Sequence, residues 1–311
     1  MKKLGSYKNG NYRVTILEDG TKIRYTPDNE YRPVKPESMD LKITNRCTGT
    51  NCMYCHEKSG PAGEHGDIMN LKFIDTLLPY TEIALGGGNV LEHPDLVPFL
   101  EKCKKRKLIC NVTFNQVHFM SNLDFIKGLI KKKLIHGVGI SLVPTESRAE
   151  ELAETLSDPI FSNAVVHVIN GIHGPKILRH LYGRGLKLLI LGYKVFGRGA
   201  SYYKRKGAAI DKGCEENLSQ LKEIISNFAA VSFDNLAIYQ LAVEKIMTGD
   251  EWKRFYMGDE GQFTMYIDAV KREYAVCSIA EERFPLEDDI EPMFKHIRKI
   301  TGHDVDSQKK K

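Results

Sequence analysis

Short apolar segments alternate with amphipathic helical patterns along the middle of the chain, and this alternation restricts the fold more than any other feature. The apolar segments lie at residues 40–45, 82–86, 110–114, 137–142, 164–169 and 186–191. Alternation of this kind is typical of a parallel sheet covered by helices. Six such units predict an α/β fold, a partial (β/α)6 TIM-like barrel, whose chemistry lies at the carboxyl ends of the strands.

The segments on either side of these units predict smaller appended parts. An Asp-Gly turn between two short apolar runs, residues 12–17 and 21–25, predicts an N-terminal β-hairpin. The last hundred residues mix helical and strand patterns and predict an α+β extension that covers the substrate as a lid and ends in a disordered basic tail. We therefore divide the chain into a hairpin with its connector (residues 1–36), the barrel (residues 37–212) and the extension (residues 213–311).

Three thiols lie within nine residues, directly after the first predicted strand of the barrel. They are Cys47, Cys52 and Cys55, and the next strand runs into Gly86-Gly87-Gly88-Asn89. Iron–sulfur clusters are held by cysteine thiolates, so three cysteines suit a [4Fe-4S] cluster whose fourth iron has no protein ligand. An open iron can bind and reduce a small molecule, whereas a site with four cysteine ligands can only pass electrons.

Three other interpretations of these thiols stay open. Residues 52–56 match the C-x-x-C-H motif of c-type haem, which requires export, but the residues after Met1 are polar and give no apolar signal core. The three thiolates with His56 would suit zinc, although zinc gives no reason for the glycine-rich strand end. Three unligated core cysteines are difficult to reconcile with an otherwise polar loop.

Together, the cysteine and glycine motifs resemble those of the radical SAM superfamily. The resemblance implies that the cysteines bind the cluster, that S-adenosyl-L-methionine chelates the fourth iron, and that the glycines hold its methionine moiety. Tyr54 matches the aromatic residue before the last cysteine. The spacing C-x4-C-x2-C is one residue longer than the usual C-x3-C-x2-C, and Gly49 is expected to absorb the extra residue. Asn89 stands where a Glu is usual, and its amide oxygen can accept a hydrogen bond from the ligand's ammonium.

The same resemblance implies cofactor contacts at the later strand ends, with ribose near the fourth strand and adenine after the sixth. A polar residue at a strand end is as often a helix cap as a ligand, so each candidate has a structural alternative. The candidate cofactor-binding residues are Tyr54, Gly86, Gly87, Gly88, Asn89, Asn115, Ser141, Asn170 and Gly192. The cluster, reduced by a flavodoxin or ferredoxin-type donor, would cleave S-adenosyl-L-methionine to a 5′-deoxyadenosyl radical that abstracts hydrogen from the substrate.

Cys277 is a candidate catalytic residue. It lies on a late predicted strand, residues 273–278, that would fold over the barrel mouth. A thiol there would return a hydrogen atom to a substrate radical, as in some peptide epimerases of the superfamily. The alternative is a small apolar residue that fills a core position.

Composition and charge agree with a cytoplasmic enzyme. The seven cysteines are odd in number and three are clustered, which is unlike a secreted disulfide framework. Since no run of about eighteen apolar residues occurs, we expect no membrane span. The net charge of +5 permits an acidic partner without requiring nucleic acid.

The substrate is not encoded by any motif. A peptide or protein is favoured, because the hairpin and the late strands offer edges for an extended chain. A nucleoside or nucleic acid is the second hypothesis, based on the basic residues 193–198 and 204–206. A third is an iron–sulfur or zinc module that binds or senses without catalysis.

Overall fold

An antiparallel sheet of three strands begins the chain. The structure is a computed structural model that describes residues 2–28, 30–50 and 52–304; the predicted basic tail, residues 307–311, lies outside them. The sheet has the order β1–β2–β3, with β1 (Lys3–Asn9), β2 (Tyr12–Leu17) and β3 (Lys22–Tyr25). The hairpin of β2 and β3 confirms the prediction. β1 was not predicted, because polar residues dominate its sequence.

A larger sheet of ten strands carries the rest of the fold. Its order is β10–β9–β8–β7–β6–β5–β4–β11–β12–β13, and β4 to β11 are parallel. The strands are β4 (Ser38–Thr44), β5 (Glu82–Gly87), β6 (Ile109–Asn115), β7 (Gly137–Ser141), β8 (Ala164–Ile169), β9 (Lys187–Leu191), β10 (Ala230–Phe233), β11 (Thr264–Asp268), β12 (Glu273–Ala275) and β13 (Phe284–Pro285). The six predicted barrel strands are β4 to β9, and the extension adds β10 at one edge and β11 to β13 at the other.

Helices cover the outer face of this sheet. The α-helices are α1 (Leu96–Lys105), α2 (Gln116–Ser121), α3 (Leu123–Lys131), α4 (Glu146–Thr155), α5 (Pro175–Leu178), α6 (Arg198–Ser219), α7 (Leu221–Ser226), α8 (Asn235–Gln240), α9 (Gly249–Phe255) and α10 (Ile290–Ile300). Short 3-10 helices lie at Lys72–Thr76, Val90–Glu92, Pro159–Phe161, Arg179–Leu181 and Val243–Ile246. Among the described residues, no helix is both long enough and apolar enough to cross a membrane.

The sheet curls until its two ends meet. Neighbouring strands lie about 4.8 Å apart, so on a flat sheet β9 and β12 would be about 34 Å apart. Yet Lys194, just after β9, donates from Nζ to Oγ of Ser278, just after β12, at 3.0 Å. The fold is therefore the partial barrel that the sequence predicts.

The two faces of each strand have different characters. On β4, Met39, Leu41 and Ile43 are buried in the main apolar core, while the alternating residues face the enclosed side of the sheet. That enclosed side carries polar and small residues, which include Asp40 and Lys42. The helices thus pack on a continuous apolar layer, and the interior of the barrel is left for polar contacts.

The N-terminal sheet covers the amino end of the barrel. Tyr12 donates its hydroxyl to Oε1 of Glu37 at 2.6 Å, and Arg24 Nε donates to the same oxygen at 2.8 Å. Glu37 is fully buried just before β4, and Ile109 at the start of β6 joins the apolar cluster of Tyr12 and Val14. The end of the barrel opposite the cysteines is closed by this sheet.

Several predicted elements differ in the structure for identifiable reasons. The basic segment 193–206 contains the start of α6, and the proposed boundary between residues 212 and 213 falls within that helix. The helical pattern in residues 241–256 does not form one continuous helix, because Ala242 takes a left-handed conformation and Thr248 begins α9 with a capping box. The strand predicted to carry Cys277 ends at Ala275.

Candidate functional site

The three cysteines lie in one loop at the carboxyl end of β4. Cys47 donates its amide N–H to the Gly60 carbonyl at 2.9 Å, and Gly60 donates back to the Asn45 carbonyl at 3.0 Å. These bonds close the loop on itself. All three thiols are free and half-buried, so they are held near the surface of the barrel mouth.

The three thiols lie close enough to influence one another's ionisation. Burial raises the pKa of Cys47, and the charge of Cys55 adds to this effect while a hydrogen bond to Thr50 opposes it. Burial likewise raises the pKa of Cys52, with further contributions from Cys55 and Cys47. Binding of a metal or cluster would therefore release protons from thiols that act on one another electrostatically.

The arrangement of possible ligands bears on which kind of metal centre the cysteine loop could hold. Within the described ranges, no three or more His, Cys, Asp or Glu side chains converge as the ligands of one metal ion do. Cysteines that ligate different irons of a [4Fe-4S] cluster need no such convergence, and three neighbouring thiols in one loop fit it. His56, the fourth ligand of the zinc hypothesis, instead lies 3.4 Å from a Glu57 oxygen through Nε2.

Arg198 fastens the cysteine loop to the start of α6. Its Nε donates to the Cys52 carbonyl at 3.0 Å, and its Nη1 donates to the Ser59 carbonyl at 2.8 Å. Its backbone N–H donates to the Cys55 carbonyl at 3.0 Å. The preceding Gly197 has φ of +60°, and a Cβ there would lie 2.1 Å from the His56 carbonyl oxygen. The basic segment 193–206 thus binds the cysteine loop through this arginine.

Glu92 joins the cysteine loop to the glycine-rich strand end. Its Oε1 accepts from the Thr48 amide at 2.8 Å, the Thr48 hydroxyl at 2.9 Å and Nδ2 of Asn89 at 2.9 Å. Its Oε2 lies 3.2 Å from Arg46 Nε. The residue lies three positions after the glycine motif, and sequence reasoning missed it because its partners are distant along the chain.

The three glycines of the strand end have different surroundings. A Cβ on Gly87, whose φ is +113°, would lie 2.3 Å from the Thr44 carbonyl oxygen, and one on Gly88 would lie 2.0 Å from that of Arg46. A Cβ on Gly86 would meet nothing within 4 Å. Gly87 and Gly88 are thus required by backbone packing, whereas Gly86 borders open space beside the cysteine loop.

Other predicted cofactor residues are engaged to different degrees. Asn89 Oδ1 accepts from the Leu91 amide and caps the 3-10 helix there, so this oxygen has a structural partner. Asn115 Nδ2 donates to Cys52 Sγ at 3.7 Å, which joins the third strand end to the cysteines. Ser141 lies in register beside Asn115. Tyr54 packs edge-on against Tyr202 of α6.

Asn170 and Gly192 are held by protein contacts. Asn170 is buried, donates to Gln240 at 3.2 Å and accepts from Asn217 at 3.0 Å. The Gly192 N–H donates to Asp234 at 2.8 Å, and a Cβ on it would lie 2.4 Å from Leu236. These two residues pack the barrel against α6 and α8, and their roles as ligands remain predictions.

A buried charge network below the cysteine loop was not predicted. Lys42 Nζ lies 2.7 Å from a Glu57 oxygen and 2.9 Å from an Asp268 oxygen, and Tyr266 donates its hydroxyl to Glu57 at 3.1 Å. Although burial opposes it, the contacts with His56 and Lys42 lower the pKa of Glu57 to about 2. The only sequence signal was a lysine within an apolar strand. The network anchors the cysteine loop to β4 and β11.

Cys277 lies in the turn after β12, half-buried and apart from the cysteine loop in sequence. Burial, followed by the neighbouring Glu260 carboxylate, raises its pKa to about 11. The next residue, Ser278, accepts the bond from Lys194 that joins the two ends of the curled sheet. Its thiol is therefore protonated at neutral pH at the side where the barrel closes.

Solved structures of SuiB from Streptococcus suis share this fold. SuiB bound to the precursor peptide SuiA aligns over 84% of this chain and 65% of its own, with a TM-score of 0.57 and 12% identity. SuiB bound to S-adenosylmethionine aligns over 88% of this chain and 67% of its own, with a TM-score of 0.54 and 11% identity. SuiB alone aligns over 90% of this chain and 84% of its own, with a TM-score of 0.53 and 11% identity.

At these identities the likeness to SuiB establishes the fold. This chain spans about two thirds of the SuiB chain in the peptide complex. No family model matches the sequence, and no curated protein matches it. The α/β fold with a partial barrel is confirmed.

Proposed function

We propose that this protein is a radical SAM enzyme that modifies a peptide or protein. The observation that carries the proposal is the loop with Cys47, Cys52 and Cys55, three neighbouring thiols at the carboxyl edge of a partial barrel. The fold is shared with a protein solved with S-adenosylmethionine and with a precursor peptide, which supports this cofactor and this class of substrate. A cytoplasmic location is part of the same proposal.

The residues of the chain have separate tasks in this function. The three cysteines would hold the cluster, and Arg198 and Glu92 keep their loop in place. Gly86 leaves room beside the loop for the methionine moiety of S-adenosyl-L-methionine. When bound, cluster and S-adenosyl-L-methionine together supply one-electron cleavage of a sulfonium and abstraction of a hydrogen atom. The enclosed barrel would orient the substrate and exclude water and competing hydrogen donors.

The experiment that tests this function measures 5′-deoxyadenosine. Protein reconstituted anaerobically with iron and sulfide, then reduced with dithionite, is expected to convert S-adenosyl-L-methionine to 5′-deoxyadenosine. Deuterium transferred into that product from labelled peptides, and not from labelled nucleosides, would identify the substrate class. If no 5′-deoxyadenosine forms with a fully loaded cluster, the proposal is wrong.

A flavodoxin or ferredoxin-type electron donor is expected to dock at the cysteine edge. The lysine-rich ends of α1 and α3 are an alternative surface by charge, but Lys107 and Lys133 precede β6 and β7 and so lie at the opposite edge of the parallel sheet. Strands of five to seven residues separate the two edges by about 17–23 Å. Electron transfer favours the shorter path.

Replacing Arg198 with Met is expected to weaken retention of the cluster. The variant keeps the aliphatic stem but removes the donors to the Cys52 and Ser59 carbonyls, a loss of about 1–3 kcal/mol for partly buried acceptors. We expect at least a severalfold faster loss of iron absorbance in air, with the unfolding temperature lowered by only a few degrees. Lys204→Met, at an exposed position of the same helix, is the matched control. Equal rates in both variants would contradict the role of Arg198.

Replacing Cys277 with Ala is expected to reduce the normal product while 5′-deoxyadenosine still forms. A thiol with a pKa of about 11 stays protonated at neutral pH, as a donor of a hydrogen atom must be. The resulting thiyl would return to the thiol by taking an electron from the external donor and a proton from solvent. If Cys277 only fills a core position, Cys277→Ala lowers the free energy of unfolding by about 1 kcal/mol and leaves the products unchanged.

Glu260→Gln should lower the pKa of the Cys277 thiol, because it removes the neighbouring carboxylate charge. Alkylation of Cys277 by iodoacetamide at pH 9 should then be faster than in the wild type.

A further inference from the structure

Asp40 lies in the middle of β4 on the enclosed face of the sheet. Its neighbours Met39 and Leu41 are buried against the helices, so its side chain points into the barrel. Ala84 of β5 and Tyr266 of β11 stand in register on either side. Despite this central position, Asp40 is exposed to solvent. The interior at this level is therefore open to a ligand.

The Asp40 carboxylate differs from the other charges on the same face. One residue pair further along, Lys42 and Asp268 lie 2.9 Å apart and Lys42 also pairs with Glu57. Among the described residues, no hydrogen-bond or ion-pair partner lies against the Asp40 carboxylate. A carboxylate on the enclosed face that reaches the open interior without a protein partner is available to a ligand, so Asp40 is a candidate for binding.

The charged groups that face Asp40 are already committed to other contacts. Although the side chain reaches solvent, the protein around it limits hydration of the carboxylate and raises the pKa of Asp40; the charges of Lys194 and His56 oppose this, while those of Glu260 and Asp234 add to it. Lys194 donates to Ser278, and Asp234 accepts from the amides of Gly192 and Ala237. Together with Asp40 itself, Glu260 and Asp234 make three carboxylates beside Lys194 and His56, so the balance of charge in this group favours a further cation.

Within the described residues, a second group without a protein partner on the enclosed face is His167 of β8. Its ring fills the space over Gly139 of β7, where a Cβ would lie 2.4 Å from it. Burial lowers the pKa of His167 to about 4, so this imidazole is neutral at pH 7. In the described part of the chain its ring nitrogens have no hydrogen-bond partner. A neutral imidazole accepts from or donates to a ligand without repelling a cation.

We propose that Asp40 binds a cationic group of the substrate, an ammonium or a guanidinium, inside the barrel. The inference rests on the proposed function, in which the barrel encloses a peptide, and it names the chemistry by which that peptide is recognised. A lysine side chain, an arginine side chain or a free α-amine would supply this group. Asp40 is then a specificity-determining residue, because an uncharged or acidic group would leave its carboxylate unpaired.

The test compares short peptides that differ only in their cationic group. The probes are acetyl-Gly-Gly-X-Gly-Gly-amide with X as Lys, Arg or norleucine, and the norleucine peptide without its acetyl group. Binding to the full chain, reconstituted with iron and sulfide but not reduced, is measured by calorimetry. At least one cationic probe should bind about tenfold or more tightly than the acetylated norleucine peptide, and Asp40→Asn should remove this difference. No preference in the wild type, or a preference that survives in Asp40→Asn, overturns the inference.

Two further variants separate binding from an internal structural role. Lys194→Met removes a nearby competing cation and should strengthen binding of the cationic probe severalfold. Asp40→Asn should raise the unfolding temperature by about 2–4 °C or leave it unchanged, because it removes an unpaired charge. Asp268→Asn, on the same face, breaks a buried ion pair and should lower the unfolding temperature. If Asp40→Asn lowers the unfolding temperature as much as Asp268→Asn does, the inference is overturned. Weaker binding of the cationic probe to Lys194→Met also overturns it.

This design separates failure of the inference from failure of the proposed function. Probe binding requires neither reduction nor cleavage of S-adenosyl-L-methionine, so it tests Asp40 alone. Formation of 5′-deoxyadenosine by the reduced wild type tests the radical chemistry. A protein that prefers the cationic probe but makes no 5′-deoxyadenosine would keep the Asp40 site and lose the proposed reaction.

Discussion

Replacing Cys47, Cys52 or Cys55 with Ala is expected to eliminate the cluster. Anaerobically reconstituted wild type should contain about four irons per chain and be brown, and each variant should contain fewer than about one. The loop supplies three thiolates for four irons, so one iron already has no protein ligand. The loss of one cysteine would leave two irons without protein ligands. Iron analysis and the visible absorption spectrum measure the result.

The control for the cysteine variants is Cys214→Ala. Cys214 is also half-buried and free, but it lies on α6 beside Gly171, so its loss should leave the iron content unchanged. Stoichiometric zinc in place of iron would contradict the central proposal. Iron retained in any of the three loop variants would remove that cysteine from the ligand set.

Replacing Gly86 with Val is expected to block binding of S-adenosyl-L-methionine while the protein stays folded. A Cβ on Gly86 meets no protein atom within 4 Å, so the added side chain enters the open space beside the cysteine loop. If the methionine moiety occupies this space, affinity should fall by about 100-fold, or ~3 kcal/mol. Calorimetric titration with S-adenosyl-L-methionine measures the effect.

Gly87→Val is the matched comparison and should have the opposite profile. Its φ of +113° is strained for any side chain, and its Cβ would overlap the Thr44 carbonyl oxygen. We expect a loss of about 3 kcal/mol or more in the free energy of unfolding, measured by chemical denaturation. Unchanged affinity in a well-folded Gly86→Val variant would place the cofactor elsewhere.

The barrel strands could be predicted because their signal is local. The apolar runs of β4 to β9 and the Asp-Gly turn of the hairpin identify their own secondary structure, and Ala164–Ile169 matches the predicted strand at both ends. α6 could not be found in this way. Its first turns are basic and aromatic with two glycines, and the helix is fixed by Arg198 and Gly197 docking on the cysteine loop.

The properties of the candidate site likewise depend partly on local sequence and partly on contacts between distant segments. The sequence alone determined the three cysteines, the glycine-rich strand end and the alternation of strand and helix, since each depends on residue type and spacing within a short segment. Only the tertiary structure decided that Gly86, and not Gly87 or Gly88, borders open space, that Glu92 joins two distant motifs, and that Asp40 faces the interior without a partner. These properties depend on which side of a strand meets the curled interior, and contacts between strands far apart in the chain fix that curvature.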